Sequence, residues 1–305
     1  MPTVSVVIPT YNRSDVLPRA VDSVLEQTYE DFELVVVDDG SDDGTLSLLD
    51  TYDDPRLRVV THGTNRGANV ARNTGIEHVH GEFVAFLDSD DEWHPEKLGR
   101  QLARYQSAPE ECVAVYCDFE YDLDGTKGRL LSVAASVLSE ADDDDRPKEG
   151  GKELSGEILA DYLHSGAGST LLVETSVARA IDGFDEELDR FQDPDFLLRV
   201  IQEGYLGYVD RPLVTRHETG SPPAETVERA DEQFIAKHAS LVRAAERDGY
   251  SVQEAHDLLL TKLYLQEGAF LDAARYLRNA RLEPRHVPGV LWSAGSGLRD
   301  AASSA

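Results

Sequence analysis

The residues best suited to chemistry are two aspartates, Asp88 and Asp90, which follow the short apolar run 83–87. An unbroken apolar run of this length is typical of a strand buried on both faces of a parallel sheet. Two carboxylates at the end of such a strand could bind one divalent cation together with a phosphate-bearing substrate. The alternative is a solvated acidic turn, which is the usual structure of an isolated Asp-Ser-Asp in an acidic chain. Other motifs have to decide between these two interpretations.

A second acidic cluster contains Asp193 and Asp195, which flank Pro194 at the start of a helical pattern. Proline suits the first turn of a helix, and aspartate is a common helix cap. Capping of the helix by Asp193 would by itself account for these residues. The cluster therefore indicates a helix start, and its chemistry depends on what surrounds it.

Three further polar residues follow predicted strands or begin predicted helices. Tyr11 follows the first strand and could pack on a nucleotide base, while Asp39 follows the second and could accept hydrogen bonds from a base or a ribose. Arg72 lies in the segment 65–73, which is rich in small residues and suits a phosphate-facing helix start. Arg72 could equally pair with acidic residues at the surface. No Gly-x-Gly-x-x-Gly loop follows the first strand, which argues against a nicotinamide or flavin enzyme.

The elements that would position these residues alternate between strand and helix. We predict strands at 4–8, 32–37, 57–60, 83–87 and 113–116. The first predicted helix is capped by Ser14 or Asp15 and ends at Gln27, and a second begins near residue 43. Two more helices are predicted at 67–77 and 151–163. This alternation predicts an α/β fold with a doubly wound, mainly parallel sheet flanked by helices. The small-residue segment 164–170 could line the acceptor side of a pocket at the sheet edge.

The pattern becomes helical from residue 224, with predicted helices at 224–248, 252–265 and 268–282. Residues 263–284 resemble one tetratricopeptide-like hairpin, but a stacked array needs at least three repeats. We therefore expect a C-terminal helical appendage. The apolar tail 286–298, which contains Trp292, could dock on the domain or touch a membrane surface, and we favour docking.

Composition excludes one large class of function. A formal net charge of −29 argues against a nucleic-acid partner, because neutralising phosphates needs a basic surface. Few lysines and abundant acids favour a protein that works in high salt, although an acidic protein of ordinary salt is the alternative. The two cysteines, Cys112 and Cys117, are expected to be buried thiols. No signal peptide and no apolar stretch of membrane-spanning length is evident, so we expect a cytoplasmic location.

Four motifs, in order, resemble those of the family 2 nucleotide-sugar glycosyltransferases of the GT-A fold. They are Val-Ser-Val-Val-Ile-Pro-Thr-Tyr-Asn-Arg (4–13), Val-Val-Asp-Asp-Gly-Ser-x-Asp-Gly-Thr (36–45), Asn-x-Gly-x-x-x-Ala-Arg-Asn-x-Gly (65–75) and Phe-Leu-Asp-Ser-Asp-Asp-x-Trp-x-Pro-x-Lys-Leu (86–98). The resemblance covers roughly the first hundred residues and continues in the segment 183–199. It implies a GT-A domain at 1–223, with a nucleotide-binding half at 1–105 and an acceptor half at 106–223, followed by the helical region 224–305.

The resemblance also implies a role for each candidate residue. The motif at Asp88 and Asp90 holds Mg²⁺ or Mn²⁺ against the donor diphosphate in that family, and a histidine matching His217 can supply a further metal ligand. The family's catalytic base matches Asp193, although this chain has Gln192 where the family often has glutamate. The residues matching those that contact the nucleoside are Pro9, Tyr11 and Asp39.

The implied activity is inverting transfer of a sugar from a nucleotide-sugar donor, commonly UDP-linked in that family, to a hydroxyl of a glycan acceptor. Together with the composition, the resemblance points to haloarchaeal members that build lipid-linked glycans for protein N-glycosylation, with contact to the membrane surface. Three alternatives remain open at this stage. They are a polyprenyl-phosphate sugar synthase of the same fold, a catalytically silent scaffold and a nucleotidyltransferase. The sequence argues against the nucleotidyltransferase, because no Gly-rich basic loop follows the first strand.

Overall fold

A computed structural model describes residues 1–122, 146–163, 165–217, 222–280, 282 and 286–303, with side chains described up to residue 298. Its centre is one eight-stranded sheet with the order β3-β2-β1-β4-β7-β6-β8-β5. The strands are β1 (Val4–Thr10), β2 (Phe32–Asp38), β3 (Leu57–Thr61), β4 (Phe83–Phe86), β5 (Glu92–Trp93), β6 (Cys112–Asp122), β7 (Leu172–Glu174) and β8 (Tyr205–His217).

The sheet is mainly parallel, as the sequence predicts. Strands β3, β2, β1 and β4 form a continuous parallel half, and β6 pairs with β8 in parallel. The short strand β7 is antiparallel to both β4 and β6 and therefore joins the two halves. Strand β1 is buried along its whole length, which its unbroken apolar sequence requires.

Helices cover both faces of the sheet. In the described residues between β1 and β8 there are eight of them: α1 (Leu17–Leu25), α2 (Thr45–Leu49), α3 (Ala68–His78), α4 (Lys97–Ser107), α5 (Ser155–Leu159), α6 (Ala167–Thr170), α7 (Thr175–Ala180) and α8 (Gln192–Glu203). Two of the predicted helices differ from the structure. Helix α1 begins at Leu17 with a proline in its first turn and no side-chain cap, so the predicted cap at Ser14 or Asp15 is wrong. The helix predicted at 151–163 is reduced to a 3₁₀ turn, Lys152–Leu154, and α5.

Five helices follow β8 in the described residues: α9 (Ala224–Lys237), α10 (Ala239–Arg247), α11 (Val252–Gln266), α12 (Phe270–Leu277) and α13 (Val287–Ser303). The single helix predicted at 224–248 is wrong, because His238 ends α9 and its side chain turns towards a buried aspartate. Phe234, Ala245 and Val252 join the hydrophobic core of the sheet, so the first of these helices pack directly on it. None of the helices in the described part of the chain is long and apolar enough to cross a membrane.

The two cysteines confirm the sequence prediction. Cys112 and Cys117 are both buried and unbonded to each other. Burial raises the pKa of the Cys117 thiol to about 11, with the nearby Lys97 opposing part of that rise. Both therefore act as small apolar side chains of the core.

Candidate active site

The carboxyl ends of the parallel strands bring the predicted nucleoside-binding residues together. Pro9 lies near the end of β1, paired in register with Val37 of β2. Tyr11 follows β1 directly and is 42% exposed, as expected of a ring available for stacking. The Asp39 backbone N–H donates to the Thr10 carbonyl at 2.8 Å, which ties the ends of the two strands. Asp39 and Tyr11 thus lie at the same edge of the sheet.

The Asp39 carboxylate is already engaged within the protein. It is 3% exposed, lies 2.6 Å from His62 Nδ1, and accepts hydrogen bonds from the backbone N–H groups of Arg66 and Gly67 at 2.9 and 2.7 Å. These contacts hold the turn that begins helix α3. Asp39 therefore shapes the nucleoside side of the site, and its direct contact with a base or ribose stays a prediction.

Arg72 is a buried residue of the site and not a surface arginine. It is 4% exposed, and its guanidinium donates to Asp88 Oδ1 at 2.6 Å and to Asn69 Oδ1 at 3.2 Å. Burial alone would lower the pKa of Arg72, but the negative charges of Asp88, Asp193 and Asp90 raise it. The guanidinium therefore stays positively charged beside three carboxylates.

Asp193 approaches the same place from helix α8, which packs in the same core cluster as α3. It lies in the first turn of α8, whose preceding residue Phe191 has a left-handed backbone (φ 58°), and no side chain caps this helix. The Asp193 Oδ2 atom instead accepts a hydrogen bond from the Gly168 backbone N–H at 2.9 Å. Helix capping, the alternative explanation of Asp193, is therefore wrong.

The close approach of two carboxylates across Gly168 is the central feature of the site. A Cβ atom placed on Gly168 would lie 3.0 Å from Asp193 Oδ2 and also 3.0 Å from Asp88 Oδ2. A larger residue at this point would press on both oxygens, which would have to move by a few tenths of an ångström. Burial raises the pKa of Asp193; Arg72 opposes this rise, while the nearby negative charge of Asp88 adds to it. Asp193 Oδ1 is buried and has no hydrogen-bond partner among the described residues.

Asp195 has a structural role that separates it from Asp193. It is 0% exposed and lies 2.7 Å from Arg199, 2.6 Å from Lys237 and 2.8 Å from His238. Although burial acts to raise its pKa, hydrogen bonds from His238 and Lys237 and the charge of Arg199 lower it to about 2. The ion cluster links the site helix α8 to the junction of α9 and α10.

Asp90 and Asp91 lie beside the paired carboxylates. The Asp90 carboxylate is 15% exposed and lies 3.8 Å from Arg13. Asp91 is buried and accepts a hydrogen bond from the Ser169 hydroxyl at 2.6 Å, and the same hydroxyl accepts one from the Asp88 backbone N–H at 3.1 Å. Burial, followed by the nearby charge of Asp88, raises the pKa of Asp91 to about 7. Ser169 thus fixes the strand end that carries Asp88.

The end of β8 closes this side of the site with Arg216 and His217. Arg216 Nε lies 3.6 Å from Asp91 Oδ2, and the charges of Asp91 and its neighbours raise the pKa of Arg216 against the lowering effect of burial. The His217 ring lies 3.2 Å from Asp122, and its Nε2 atom is buried without a hydrogen-bond partner in the described residues. Residues 218–221, which follow His217, lie outside the described residues.

The donor set partly fits the metal ion that the sequence implies. Asp88 and Asp90 supply carboxylate oxygens, the ligands that Mg²⁺ and Mn²⁺ prefer. Within the described ranges, however, no three histidine, cysteine, aspartate or glutamate side chains are grouped closely enough to hold a metal without other ligands. This suits Mg²⁺, which protein sites usually bind through one or two carboxylates together with substrate phosphates. The roles of Asp90 and His217 as metal ligands stay predictions.

Helix α3 also positions the segment that leads to Asp193. Asn69 Nδ2 donates to the carbonyls of Asp185 and Leu188, at 2.9 and 2.8 Å, and Asn73 exchanges two hydrogen bonds with the Phe184 backbone. The two asparagines are four residues apart and therefore share one face of the helix. This clamp connects the half of the site that carries Asp88 with the half that carries Asp193.

Several of these residues were not assigned by sequence reasoning. Gly168 and Ser169 lie in the small-residue segment 164–170, which the sequence predicts to line the acceptor side of the pocket, although neither residue has an individual role there. Arg216 carries no local signal, because its place depends on the long-range pairing of β8 with β6. Asn69 and Asn73 did carry a signal, because polar residues four apart on a largely buried helix predict a partner segment. The sequence predicted the neighbourhood of the site, and the structure adds its supporting contacts.

The fold is similar to that of glycosyltransferase structures with the GT-A architecture. Two solved structures share the fold. S. aureus TarS 1-349 in complex with UDP-GlcNAc matches with a TM-score of 0.58 and 19% identity, over 98% of this chain and 92% of that chain. The mannosyltransferase PcManGT from Pyrobaculum calidifontis, in complex with GDP-Man and Mn²⁺, matches with a TM-score of 0.52 and 21% identity, over 100% of this chain and 76% of that chain. At these identities the likeness shows the fold alone.

Sequence comparison matches part of the chain to a known family. Residues 5–154 match the family described as Glycosyl transferase family 2, so the chain contains a domain of that family. Over 103 residues the chain is 48% identical to the putative teichuronic acid biosynthesis glycosyltransferase TuaG of Bacillus subtilis (33% of this chain, 41% of the relative). Over 100 residues it is 41% identical to the UDP-Glc:alpha-D-GlcNAc-diphosphoundecaprenol beta-1,3-glucosyltransferase WfgD of Escherichia coli (33% and 40%). The chain thus spans less than half the length of these two relatives.

Proposed function

We propose that this protein is a metal-dependent, inverting glycosyltransferase that moves a sugar from a nucleotide-sugar donor to a hydroxyl of a glycan acceptor. The observation that carries the proposal is the pairing of Asp88 with Asp193 across Gly168, since it puts a donor-side carboxylate next to a buried carboxylate with a raised pKa. A domain division at residue 223, with the donor half at 1–105, is part of the same proposal.

Asp193 is the proposed general base. Its free lone pairs on Oδ1 have no partner among the described residues, so this oxygen is available to an acceptor hydroxyl. A raised pKa makes the carboxylate a stronger base than an exposed aspartate. When Asp193 takes the acceptor proton it loses its charge, which relieves its repulsion by Asp88. The described residues next to Asp193 offer no covalent nucleophile, which supports direct displacement with inversion.

Arg72 and the donor-side aspartates have binding and orienting roles in this proposal. Arg72 donates a hydrogen bond to Asp88 and keeps a positive charge beside the carboxylates, which opposes the rise in the Asp193 pKa. Asp88 and Asp90 would hold the metal ion, and a bound divalent ion neutralises charge on the leaving nucleoside diphosphate. Tyr11, Pro9 and Asp39 would position the nucleoside at the adjacent strand ends.

The donor and acceptor are proposed by analogy with relatives. WfgD is named for a UDP-glucose donor and a diphosphoundecaprenol-linked acceptor, and TarS was solved with UDP-GlcNAc. These names support a UDP-sugar donor and a lipid-linked oligosaccharide acceptor of the dolichol-phosphate or similar type, used for surface glycans such as N-linked chains. Transfer directly to a polyprenyl phosphate is the alternative within the same fold. The acidic composition supports a protein that carries out this transfer at high salt concentration.

A donor screen tests this proposal. Thermal unfolding is measured with UDP-, GDP- and dTDP-sugars, each with Mg²⁺, with Mn²⁺ and with a chelator. We expect one nucleotide class to raise the melting temperature only when the metal is present, and we expect Asp90→Ala to abolish that rise. Protection that persists in the chelator, or in Asp90→Ala, would contradict the metal role.

The matched control is Asp189→Ala, which removes a carboxylate that is 72% exposed. This carboxylate lies 3.6 Å from the exposed guanidinium of Arg229. This variant should keep the full metal-dependent rise. If no sugar nucleotide protects the wild-type protein with any metal, the glycosyltransferase assignment itself fails. Slow metal-dependent hydrolysis of the protecting donor would exclude a catalytically silent scaffold.

A further inference from the structure

Helix α13 presents a continuous apolar face to solvent. Val287, Leu291 and Leu298 are 43%, 67% and 59% exposed, and Trp292 is 42% exposed. Their spacing places them on one side of the helix. The segment 287–298 contains no charged residue, in a chain in which 29% of residues are charged. This face is therefore unlike the rest of the protein surface.

The opposite face of α13 fixes the helix to the protein through small side chains. Ser293 is 2% exposed, and Val290 and Ala294 pack against the cluster formed with α11. A Cβ atom on Gly297 would lie 2.0 Å from the Leu265 carbonyl, so the two helices approach as closely as their backbones allow. An ordinary surface helix buries its large apolar side chains and exposes polar ones. Helix α13 does the reverse, which means that its docking on the domain does not account for its large apolar residues.

Two more exposed apolar side chains lie on α12, whose start is near the end of α13, because a Cβ atom on Gly268 would lie 3.3 Å from the Gly297 carbonyl oxygen. Leu271 at the start of α12 is 89% exposed, and Phe270 beside it is 40% exposed. Seven of the eleven large hydrophobic side chains that are exposed in the described part of the chain lie between residues 270 and 298. Contiguous exposed apolar surface of this kind marks an interaction site, whereas single exposed residues need no explanation.

The sequence of this region differs in charge from the rest of the chain. Residues 270–298 contain four arginines, one aspartate and one glutamate, while the chain carries a net charge of −29. Of the described arginines, Arg275 is 69% exposed and lies 3.8 Å from Glu228, and Arg278 is also exposed; both lie at the end of α12. A second copy of this chain, packed symmetrically on this face, would bring two regions of the same net charge together. An anionic partner would instead meet a segment that is basic in an otherwise strongly acidic chain.

We propose that the exposed face of α13, with the start of α12, docks in the plane of an anionic lipid bilayer. The apolar side chains would enter the boundary between headgroups and acyl chains, where tryptophan is favoured, and Arg275 and Arg278 would face the anionic headgroups. The face lies along the helix and the helix packs on the protein, so this is attachment to a surface and not insertion across it. The proposal does not depend on the catalytic assignment.

Vesicle flotation of the intact protein tests this proposal. Vesicles of phosphatidylcholine alone are compared with vesicles that also contain phosphatidylglycerol, at the lowest KCl concentration at which the protein stays folded. We expect flotation with the anionic vesicles and much less with the neutral ones. Trp93 is 2% exposed, so a blue shift of the protein's fluorescence on binding would report Trp292 entering the bilayer.

Two variants make the result specific. Leu291→Asp should lower the bound fraction by roughly tenfold or more, because it puts a charge in the centre of the buried face. Leu46→Asp, at an exposed leucine (38%) in α2, is the matched control and should bind like the wild type. The proposal would be overturned if the two variants bound equally, or if the wild type did not float with anionic vesicles. It would also be overturned if light scattering showed a dimer that Leu291→Asp dissociates.

Discussion

Replacing Gly168 with alanine would insert a methyl group between the two carboxylates that define the site. The added carbon would lie 3.0 Å from both Asp88 Oδ2 and Asp193 Oδ2, and 3.3 Å from Asp193 Oδ1. Ordinary contact begins near 3.4 Å, so each carboxylate must move by a few tenths of an ångström. The hydrogen bond from the Gly168 backbone N–H to Asp193 is retained in principle, because alanine keeps that donor.

The expected effect is a loss of rate with little loss of stability. A misplacement of about 1 Å can cost on the order of 10²-fold in rate, so a shift of a few tenths predicts a loss of roughly tenfold. Alanine in place of a helical glycine favours folding by about 0.5–1 kcal/mol, which offsets some of the crowding. A net change of about 1 kcal/mol moves the melting temperature by only about 2–4 °C in a chain of this size.

The assay is sugar transfer from the donor identified by thermal protection, measured with the melting temperature of the same preparation. Gly99→Ala is the control, since Gly99 lies in helix α4 and no atom lies within 4 Å of the added carbon. This control should keep the wild-type rate. A Gly168→Ala rate within about twofold of the wild type, with the fold intact, would refute the inference that the two carboxylates act together in catalysis.

Three further predictions concern the rest of the molecule. Asp195→Asn should lower the free energy of unfolding in urea by about 3–5 kcal/mol, because it breaks a buried ion cluster whose aspartate has a pKa lowered to about 2. Asp193→Asn should leave the free energy of unfolding almost unchanged. Equal losses of stability in the two variants would contradict a structural role for Asp195 and a catalytic role for Asp193. The His256 pKa is raised above 6.5 by Asp231 against the effect of burial, so the stabilisation from this pair should be complete below about pH 6.5 and be lost as pH rises through the folded-state pKa. Urea unfolding of Asp231→Asn and wild type should therefore differ most in mild acid, and a difference that grows with pH would refute this sign. The melting temperature should rise with KCl towards molar concentration because −29 charges repel at low ionic strength, and a flat or falling curve would exclude the halophilic interpretation.

The parallel half of the site could be predicted from the sequence because its geometry is local. Apolar runs that end at Ile8, Val37 and Leu87 place the next polar residues at the same sheet edge, since carboxyl ends of parallel strands align. Tyr11, Asp39 and Asp88 could therefore be grouped before the structure was known. The family resemblance added the assignment of Asp193, which composition and periodicity alone would have interpreted as a helix cap.

The remaining half could not be predicted because it depends on contacts between distant segments. Strand β7 has only three residues, yet it is antiparallel to two neighbours and carries α6, with Gly168, to the sheet edge. The long helix predicted at 224–248 is interrupted at His238 by its contact with buried Asp195, a pairing across 43 residues. Helical periodicity continues through such a break, so a tertiary contact decides where the helix ends.

The most direct test of the central claim is the transfer rate of Asp193→Asn measured together with its donor affinity. Asparagine keeps the shape and can still accept the hydrogen bond from Gly168, but it cannot take a proton. The account predicts a fall in transfer of roughly 10²–10⁴-fold with donor affinity nearly unchanged, because Asp193 faces the acceptor. Asp189→Asn, at an exposed carboxylate, should behave like the wild type. A near-wild-type rate in Asp193→Asn would contradict the base assignment, and a loss confined to donor binding would move the residue to the donor side of the site.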